Sequence, residues 1–251
     1  MNIFLKYAFL FFIGSVIGWV IELIFRKYFA VENKEHKWIN PGFCIGPYLP
    51  LYGFGLSLLY MIASLEKYNL IVNPIVNKAV LFIVMAICMT AIEYIAGIFC
   101  LRVAHVRLWD YSDLWGNIQG VICPLFSCAW ALLGAVYYFL IHPRILNALT
   151  WLSQNLAFSF FVGFFYGVFL IDVVYSSNLI RKLKKFADEN DVIVKYESPK
   201  AHIKQFEDRA AMRPHFFFPL KSERALNEYL HEMRESFEKK SVRIKDKLKN
   251  K

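Results

Sequence analysis

The sequence predicts an all-α, polytopic integral membrane protein: a helix bundle of about five spans over residues 1–175, followed by a partly helical cytoplasmic tail over residues 176–251. Composition is the first observation behind this prediction, since 57% of the 251 residues are hydrophobic and 20% are charged, against about 45–50% and about 25% in soluble domains. Charge distribution is the second, because 19 of the 29 Lys and Arg residues follow residue 175. An apolar body with a basic tail is therefore expected.

The third observation is a set of apolar runs long enough to cross a bilayer, whose core of about 30 Å needs about 20 helical residues. These runs lie at about 4–25, 47–65, 79–101, 117–141 and 154–175. The first is too long for a typical signal peptide and no cleavage motif follows it, so it is expected to remain as an anchor. Proline and glycine crowd the start of the second, where regular helix is expected only from near Leu51.

Basic residues in the connections predict the orientation of the spans, because short cytoplasmic loops hold the excess of Lys and Arg. Placing the tail inside also places six Lys and Arg residues of the body inside and leaves four outside. Four more follow the last span directly, at Arg181, Lys182, Lys184 and Lys185. We therefore predict a multi-pass protein of the cell (plasma) membrane, with the N-terminus outside and the C-terminus in the cytoplasm.

The tail contains a predicted amphipathic helix near residues 222–248, in which Leu226, Leu230, Met233 and Phe237 recur at helical spacing. This helix either packs on itself or on the membrane, or it docks a cytoplasmic protein. No nucleic acid is expected as a partner, since 12 acidic residues interleave with the basic ones. Membrane lipid is expected as a partner, and residues 180–185 could rest on anionic headgroups.

Three ionisable side chains fall within the predicted spans, namely Glu22, Glu93 and Asp172. Such groups are costly in a bilayer and indicate functional sites. In the first span Gly14, Gly18 and Glu22 share one helical face, where small residues would let another helix approach closely. The fifth span is expected to repeat this seam with Ser159, Gly163 and Gly167, and the fourth to present a polar stripe that includes Asn117 and Gly120.

Depth gives a further inference, because Glu22, Glu93, Asn117 and Asp172 all fall in the cytoplasmic halves of their spans under this topology. Two irregular stretches, at 40–55 and 107–112, are expected at the same side. Non-helical backbone at membrane depth must be buried in protein or line a wet cavity. The sequence therefore predicts a polar cavity open to the cytoplasm. Alternatively, these carboxylates reach interfacial water or pair with Arg102 or Arg107 and only lock the bundle.

The sequence motifs give no prediction of a metal or a cofactor. The five cysteines are scattered and show no metal-ligand spacing, so we expect them to be packing residues. The chain contains no G-x-x-x-x-G-K-[ST] phosphate loop, no H-E-x-x-H and no G-x-S-x-G. A primary pump built on this chain would therefore need its ATPase on another subunit.

Several motifs in the body resemble those of a bacterial family of multi-span proteins known as putative ABC-transporter permeases, type IV. They are Gly14-Ser-Val-Ile-Gly-Trp-Val-Ile-Glu22, Asn40-x-Gly42-Phe, Gly46-Pro-Tyr-x-Pro-x-Tyr-Gly-x-Gly55, Glu93-Tyr94, Trp109-Asp-Tyr-Ser112 and Asn117-x-x-Gly120. The resemblance covers roughly residues 1–175 and implies a role in transport. The family usually has arginine where this chain has Pro41 and Val121.

The leading functional hypothesis is a membrane component of a transporter, with a substrate or ion path through the inner half and a tail that docks a separate ATPase subunit or another cytoplasmic protein. One alternative is a membrane-embedded enzyme acting on a lipid or lipid-linked substrate, with Glu22, Glu93 and Asp110 as acid, base or metal-holding groups. Another is a non-catalytic scaffold or sensor. The candidates for the path are Glu22, Trp19, Asn40, Gly42, Gly46, Pro47, Pro50, Tyr52, Glu93, Trp109, Asp110, Tyr111, Asn117 and Asp172.

Overall fold

A computed structural model describes residues 2–29, 33, 36, 38–68, 71–190, 194–195 and 229–235. The described chain is an all-α bundle, which confirms the predicted fold class. Its helices are α1 (Ile3–Tyr28), α2 (Pro50–Ser64), α3 (Pro74–Ala104), α4 (Pro124–Val136), α5 (His142–Gln154) and α6 (Ser159–Asn190). Short 3₁₀ turns lie at Leu65–Tyr68 and Leu156–Phe158, and the π-helix Tyr137–Ile141 joins α4 to α5 without a break.

Two short strands, β1 (Val106–Arg107) and β2 (Val194–Lys195), pair in parallel. They lie at the end of the bundle where α1, α3 and α6 finish and where α4 begins. We call this the tail end. At that end Ala104 and Val106 pack on Leu179 and Leu183 of α6, and the rings of Phe25 and Phe126 approach to 6.1 Å.

Helices α1 and α2 form the closest pair of the bundle, because small residues face each other along their contact. A Cβ atom added to Gly14 would lie 2.8 Å from the Cβ of Leu56, and one added to Gly18 would overlap Tyr52. Gly53 of α2 meets Ser15 and Phe11 of α1 in the same way. The predicted small-residue seam on the first span is therefore used, and its neighbour is α2.

Four stretches of helix in the described residues are long and apolar enough to cross a membrane: Ile3–Tyr28, Pro74–Ala104, Pro124–Gln154 and Leu156–Glu189. The second predicted span corresponds to α2, whose 15 residues extend about 22 Å. Even so, α2 ends level with the start of α1, since the rings of Tyr60 and Tyr7 are 6.1 Å apart. The loop before α2 reaches inward, because the amide of Leu49 donates to the carbonyl of Ser15 at 2.9 Å.

The fourth predicted span begins later than the sequence indicated, at Pro124 instead of residue 117. Residues 117–123 are irregular, with an antiparallel bridge between Ile118 and Ile122. Gly116, Gln119 and Gly120 have φ angles of 67°, 56° and 67°, outside the right-handed helical region. The expected helical stripe from Asn117 to Gly120 is therefore wrong. Pro124 suits a first helical position, where its missing N–H is not needed.

The last helix is much longer than its apolar run, since α6 continues past residue 175 to Asn190. Its basic residues at 181–185 are helical. Leu179, Leu183, Phe186 and Ala187 form an apolar stripe that packs on Ala104 and Val106. The described part of the predicted tail helix, 229–235, is helical, and its Leu230 and Met233 pack against the same cluster. The rest of 222–248, including Leu226 and Phe237, lies outside the described residues.

The outer surface of the bundle is apolar, as lipid contact requires. Phe160, Leu170 and Val174 of α6 are each exposed by more than half in the isolated chain. The predicted seam on this helix is not used within the described chain, because nothing lies within 4 Å of a Cβ atom built on Gly163 or Gly167. Both glycines face outward, and the helix instead turns Val162 and Phe165 inward.

Candidate functional site

The first polar group within the bundle is the Glu22 carboxylate of α1. Its Oε1 accepts a hydrogen bond from Arg26 Nε, one helical turn further along, at 2.9 Å. Its Oε2 accepts from the hydroxyl of Tyr52 at 3.0 Å. Tyr52 reaches this position because Gly18 leaves room for its ring against α1. The Glu22 side chain is 22% exposed, so it lies at the rim of the bundle and not in its centre.

The second polar group is the Glu93 carboxyl of α3, which is 3% exposed. Its Oε1 accepts from the Tyr111 hydroxyl at 3.0 Å. Its Oε2 is enclosed and has no hydrogen-bond partner among the described residues. The Trp130 indole of α4 also lies beside this carboxyl group. Glu93 forms no ion pair with any Lys, Arg or His of the described chain.

Tyr111 is held over Glu93 by the connection between α3 and α4. Its ring stacks on Phe126 with the centroids 4.3 Å apart, and its amide donates to the Gly120 carbonyl at 2.8 Å. Burial and the neighbouring Glu93 raise the pKa of the Tyr111 phenol. The hydroxyl therefore stays protonated and donates a hydrogen bond to Glu93 Oε1.

The two acid–tyrosine pairs form one unit. Tyr52 interacts electrostatically with Glu93 as well as with Glu22, and Tyr111 interacts with Glu22 as well as with Glu93. We call Glu22, Tyr52, Glu93 and Tyr111 the acid–tyrosine cluster. Arg26 is the cation paired with it. The structure thus brings together acids from α1 and α3, whose proximity the sequence left open.

Asn117 and Trp109, two further path candidates, shape the connection that holds Tyr111. Asn117 Oδ1 accepts from the Gly120 amide at 3.0 Å, and its Nδ2 donates to the carbonyls of Ser112 and Leu114. Trp109 Nε1 donates to the Val121 carbonyl at 2.8 Å. In this structure both side chains support the backbone around Tyr111.

Asp110, which the sequence placed among the candidate acids, is bound within the same connection. Its Oδ1 accepts hydrogen bonds from Arg107 Nη1, from the Ser112 hydroxyl and from the Ser112 amide. Arg107 also donates to the Ser112 hydroxyl. The arginine therefore pairs with Asp110 within its own connection.

A second polar site lies between Asp172 of α6 and the loop at residues 40–49. Its Oδ2 accepts from the Gly46 amide and from the Tyr48 hydroxyl, each at 2.6 Å. Its Oδ1 accepts from the Ile45 amide at 3.2 Å and from the Ser176 hydroxyl at 2.8 Å. Four donors on one carboxylate make Asp172 the anchor of this loop to α6.

The opposite side of the same loop is anchored on α1. Trp19 Nε1 donates to Asn40 Oδ1 at 2.6 Å, and Asn40 Nδ2 donates to the Ile45 carbonyl at 2.6 Å. Gly42 has a φ of 77°, which favours glycine. Gly46 lies against the Tyr48 ring, Pro47 lies half-buried in the loop, and Pro50 is the first residue of α2.

Sequence reasoning missed Arg26, Trp130 and Tyr48 as members of these sites. The Glu22–Arg26 pair has the i, i+4 spacing that brings side chains together on a helix, so its signal was present. Tyr48 stood within the Gly46-Pro-Tyr motif. No local pattern shows that Trp130 faces Glu93, because that contact depends on how α4 packs on α3.

Other features of the described chain lie away from these sites. A shallow apolar pocket is lined by residues from the first part of α3 and from the end of α4, with Lys78 and Tyr138 at its edge. It does not include the acid–tyrosine cluster. The described residues contain no group of three or more His, Cys, Asp or Glu side chains placed to hold a metal ion.

Comparison with known proteins gives one match. The model of a family described as "Putative ABC-transporter type IV" matches residues 9–177, a range that includes the acid–tyrosine cluster, the 40–49 loop and Asp172. No curated protein and no solved structure matches the chain.

Proposed function

The chain belongs to the family described as "Putative ABC-transporter type IV", and from this membership and the buried acid–tyrosine cluster we propose that it is a membrane permease component of a transporter. Its path would pass Glu22 and Glu93 and open to the cytoplasm at the tail end. The apolar helices support an integral membrane protein, and the family match supports a role in transport.

The single observation that carries the proposal is the position of Glu93. This carboxyl group lies in the second half of a 31-residue apolar helix and is 3% exposed. Ionisable groups placed so deeply are costly, and in membrane proteins they mark substrate or ion pathways. A purely structural acid would be expected to have both oxygens satisfied, whereas Glu93 Oε2 has no partner in the described chain.

The segment at 40–64, which contains most of the second predicted span, gives independent support. It consists of an irregular loop at 40–49, which reaches the level of Ser15 on α1, followed by the short helix α2. Interrupted spans of this kind form the binding sites of many transporters, because unwound backbone offers polar groups at membrane depth. The loop is joined to α6 by Asp172 and to α1 by Trp19 and Asn40, so a movement of either helix would move it.

The proposed energy source is a separate ATPase subunit, since the sequence contains no phosphate loop. We propose that the basic tail and the tail end of α6 dock this subunit in the cytoplasm, with the N-terminus outside. The long continuation of α6 supports this proposal, because it extends from Asp172 to the basic residues around Lys184 in one rigid element.

The test is purification of the full chain in a gentle detergent beside a version that ends after Lys195, with mass spectrometry of bound proteins and lipids. A nucleotide-binding subunit that purifies with the full chain only, and hydrolyses ATP in that complex, is the expected result. Glu93→Gln should then uncouple hydrolysis from transport, whereas Glu66→Gln, beside Lys78 at the other end, should not.

Two outcomes contradict the proposal. A chain that purifies alone with one stoichiometric lipid favours the lipid enzyme, and turnover of that lipid would establish it. A chain that binds a non-ATPase protein and keeps its function in Glu93→Gln favours a scaffold or sensor.

A further inference from the structure

We infer that Glu93 is a proton-binding site, at which one proton is exchanged between Oε2 and the aqueous side at the tail end. The inference deepens the proposed transport function by naming the coupling ion. Only the use of the proton in transport rests on that proposed function. Proton binding itself is a property of the cluster that can be measured without any transport assay.

The first step is the unequal treatment of the two Glu93 oxygens. Oε1 accepts from Tyr111 at 3.0 Å, while Oε2 is enclosed without a partner among the described residues. A carboxylate has two oxygens with about four acceptor sites, and burying such an anion with one oxygen unpaired is strongly unfavourable. A proton on Oε2 removes the charge and so removes most of this cost.

The second step is the charge balance of the groups that face Glu93. They are Glu22 from α1, Tyr52 from α2, Tyr111 from the α3–α4 connection and Trp130 from α4. Among the described residues only Arg26 brings a positive charge to the cluster, and it pairs with Glu22. This ion pair places the Glu22 carboxylate beside Glu93. A second negative charge beside it, on Glu93, would be repelled.

The third step decides whether the cation that Glu93 binds is a proton or a metal ion. Hard cations such as Mg²⁺ and Ca²⁺ take about six or more oxygen ligands. The described residues offer no group of three acidic, Cys or His side chains at any one place. Glu93 has one open oxygen, which is what a single proton needs.

The fourth step is a route to water. Tyr52 bridges towards Glu22, whose side chain is 22% exposed at the tail end. Binding takes one proton from the aqueous side onto Oε2, and release returns it, so no other reactant is needed. Tyr111 keeps its own proton and donates to Oε1 in both states.

The experiment is infrared difference spectroscopy of the purified full-length chain in lipid nanodiscs, titrated with protons and repeated in heavy water. The readout is the C=O stretching band of a protonated carboxylic acid, which shifts on deuteration. We expect a pH-dependent band that is absent from Glu93→Gln and present in the matched control Glu66→Gln. Glu22→Gln should also retain it, since the proton is assigned to Glu93.

A second variant keeps the inference testable if Glu93→Gln folds poorly. Tyr111→Phe leaves Glu93 in place and removes the hydrogen bond to Oε1, so the band should remain and change its frequency. A spectrum without such a band across the titrated range, or a band that persists unchanged in Glu93→Gln, overturns the inference. A titrating band in a chain that binds no ATPase leaves proton binding standing and overturns the proposed function alone.

Discussion

At the scale of single residues, Gly18 determines how Tyr52 meets Glu22. A methyl group at this position would overlap the Tyr52 side chain, so Gly18→Ala must push α2 away from α1 or displace the tyrosine. Overpacking of this kind costs about 1–3 kcal/mol. We expect a lower thermal unfolding midpoint in detergent and a weaker Glu22–Tyr52 contact.

The matched control is Gly163→Ala on α6, where nothing lies within 4 Å of the added atom. Alanine is the better helix former by about 1 kcal/mol, so this variant should be neutral or slightly more stable. Equal losses at Gly18 and Gly163 would show that the α1–α2 contact does not have the closeness described above.

A second residue-scale prediction concerns Asp172, which accepts four hydrogen bonds and fixes the loop at 40–49. Asp172→Asn replaces one of the two acceptor oxygens with an NH₂ donor, which then faces the amide of Ile45 or that of Gly46. Losing a charged acceptor costs about 1–3 kcal/mol. Hydrogen exchange at these two amides should accelerate, and the unfolding midpoint should fall.

Glu189→Gln on the same helix provides the control for Asp172→Asn. Glu189 is half-exposed and lies 4.0 Å from Lys185, and surface pairs of this kind contribute little. We expect its exchange profile to match that of the unaltered chain. Unchanged exchange at Ile45 and Gly46 in Asp172→Asn would contradict the anchoring role.

At the scale of the element, α6 has an outward-facing apolar first half and a second half that packs on Ala104 and Val106, and the two halves should respond differently to the same change. Leu183 is fully buried against Ala104 and Val106, whereas Leu170 is 60% exposed on the lipid side. Leu183→Ala should cost about 2–5 kcal/mol, as core truncations do. Leu170→Ala should cost little, because lipid tails solvate leucine as well as protein does.

Unfolding of both variants in a denaturant series measures this difference. The reverse order, with Leu170→Ala the more damaging, would place residue 170 in a protein contact and residue 183 in solvent. That result would remove the support that the continuous α6 gives to tail docking.

The same helix shows what sequence reasoning could and could not predict about the elements. The apolar run that ends at Tyr175 predicted the end of the last span, and the structure shows that the helix continues beyond it to Asn190. The stripe of Leu179, Leu183 and Phe186 has helical spacing, yet the charges between these residues concealed it. The positive φ angles at Gln119 and Gly120 likewise exclude the first residues of the fourth predicted span from the helix, which begins only at Pro124.

The candidate site was also only partly predictable from the sequence. An acid within an apolar run is visible in sequence, so Glu22, Glu93 and Asp172 could be found. Their pairing could not, because it depends on packing between helices: Asp172 meets the loop at residues 45–48, while Glu22 and Glu93 share two tyrosines. Their positions along the predicted spans placed all three acids at one end of the bundle, and the structure divides them into two sites.

At the scale of the whole molecule, the number of crossings depends on α2. This helix has 15 residues, and four other stretches are long enough to span by themselves. The loop at 40–49 makes up the missing length, since Leu49 is hydrogen-bonded at the level of Ser15 and Tyr60 ends beside Tyr7. Five crossings then place the N-terminus and the tail on opposite sides of the membrane.

Labelling of single cysteines with a membrane-impermeant thiol reagent tests this count in a background without the five native cysteines. Ile3→Cys and Val72→Cys, both at highly exposed positions, should react from outside in whole cells. Trp115→Cys, also exposed, should react only after permeabilisation. If α2 does not cross, Ile3→Cys moves to the inside while the other two keep their pattern. The labelling of position 3 therefore decides between five crossings and four. A fluorescent protein fused to the tail shows whether the tail lies in the cytoplasm and so fixes the absolute orientation.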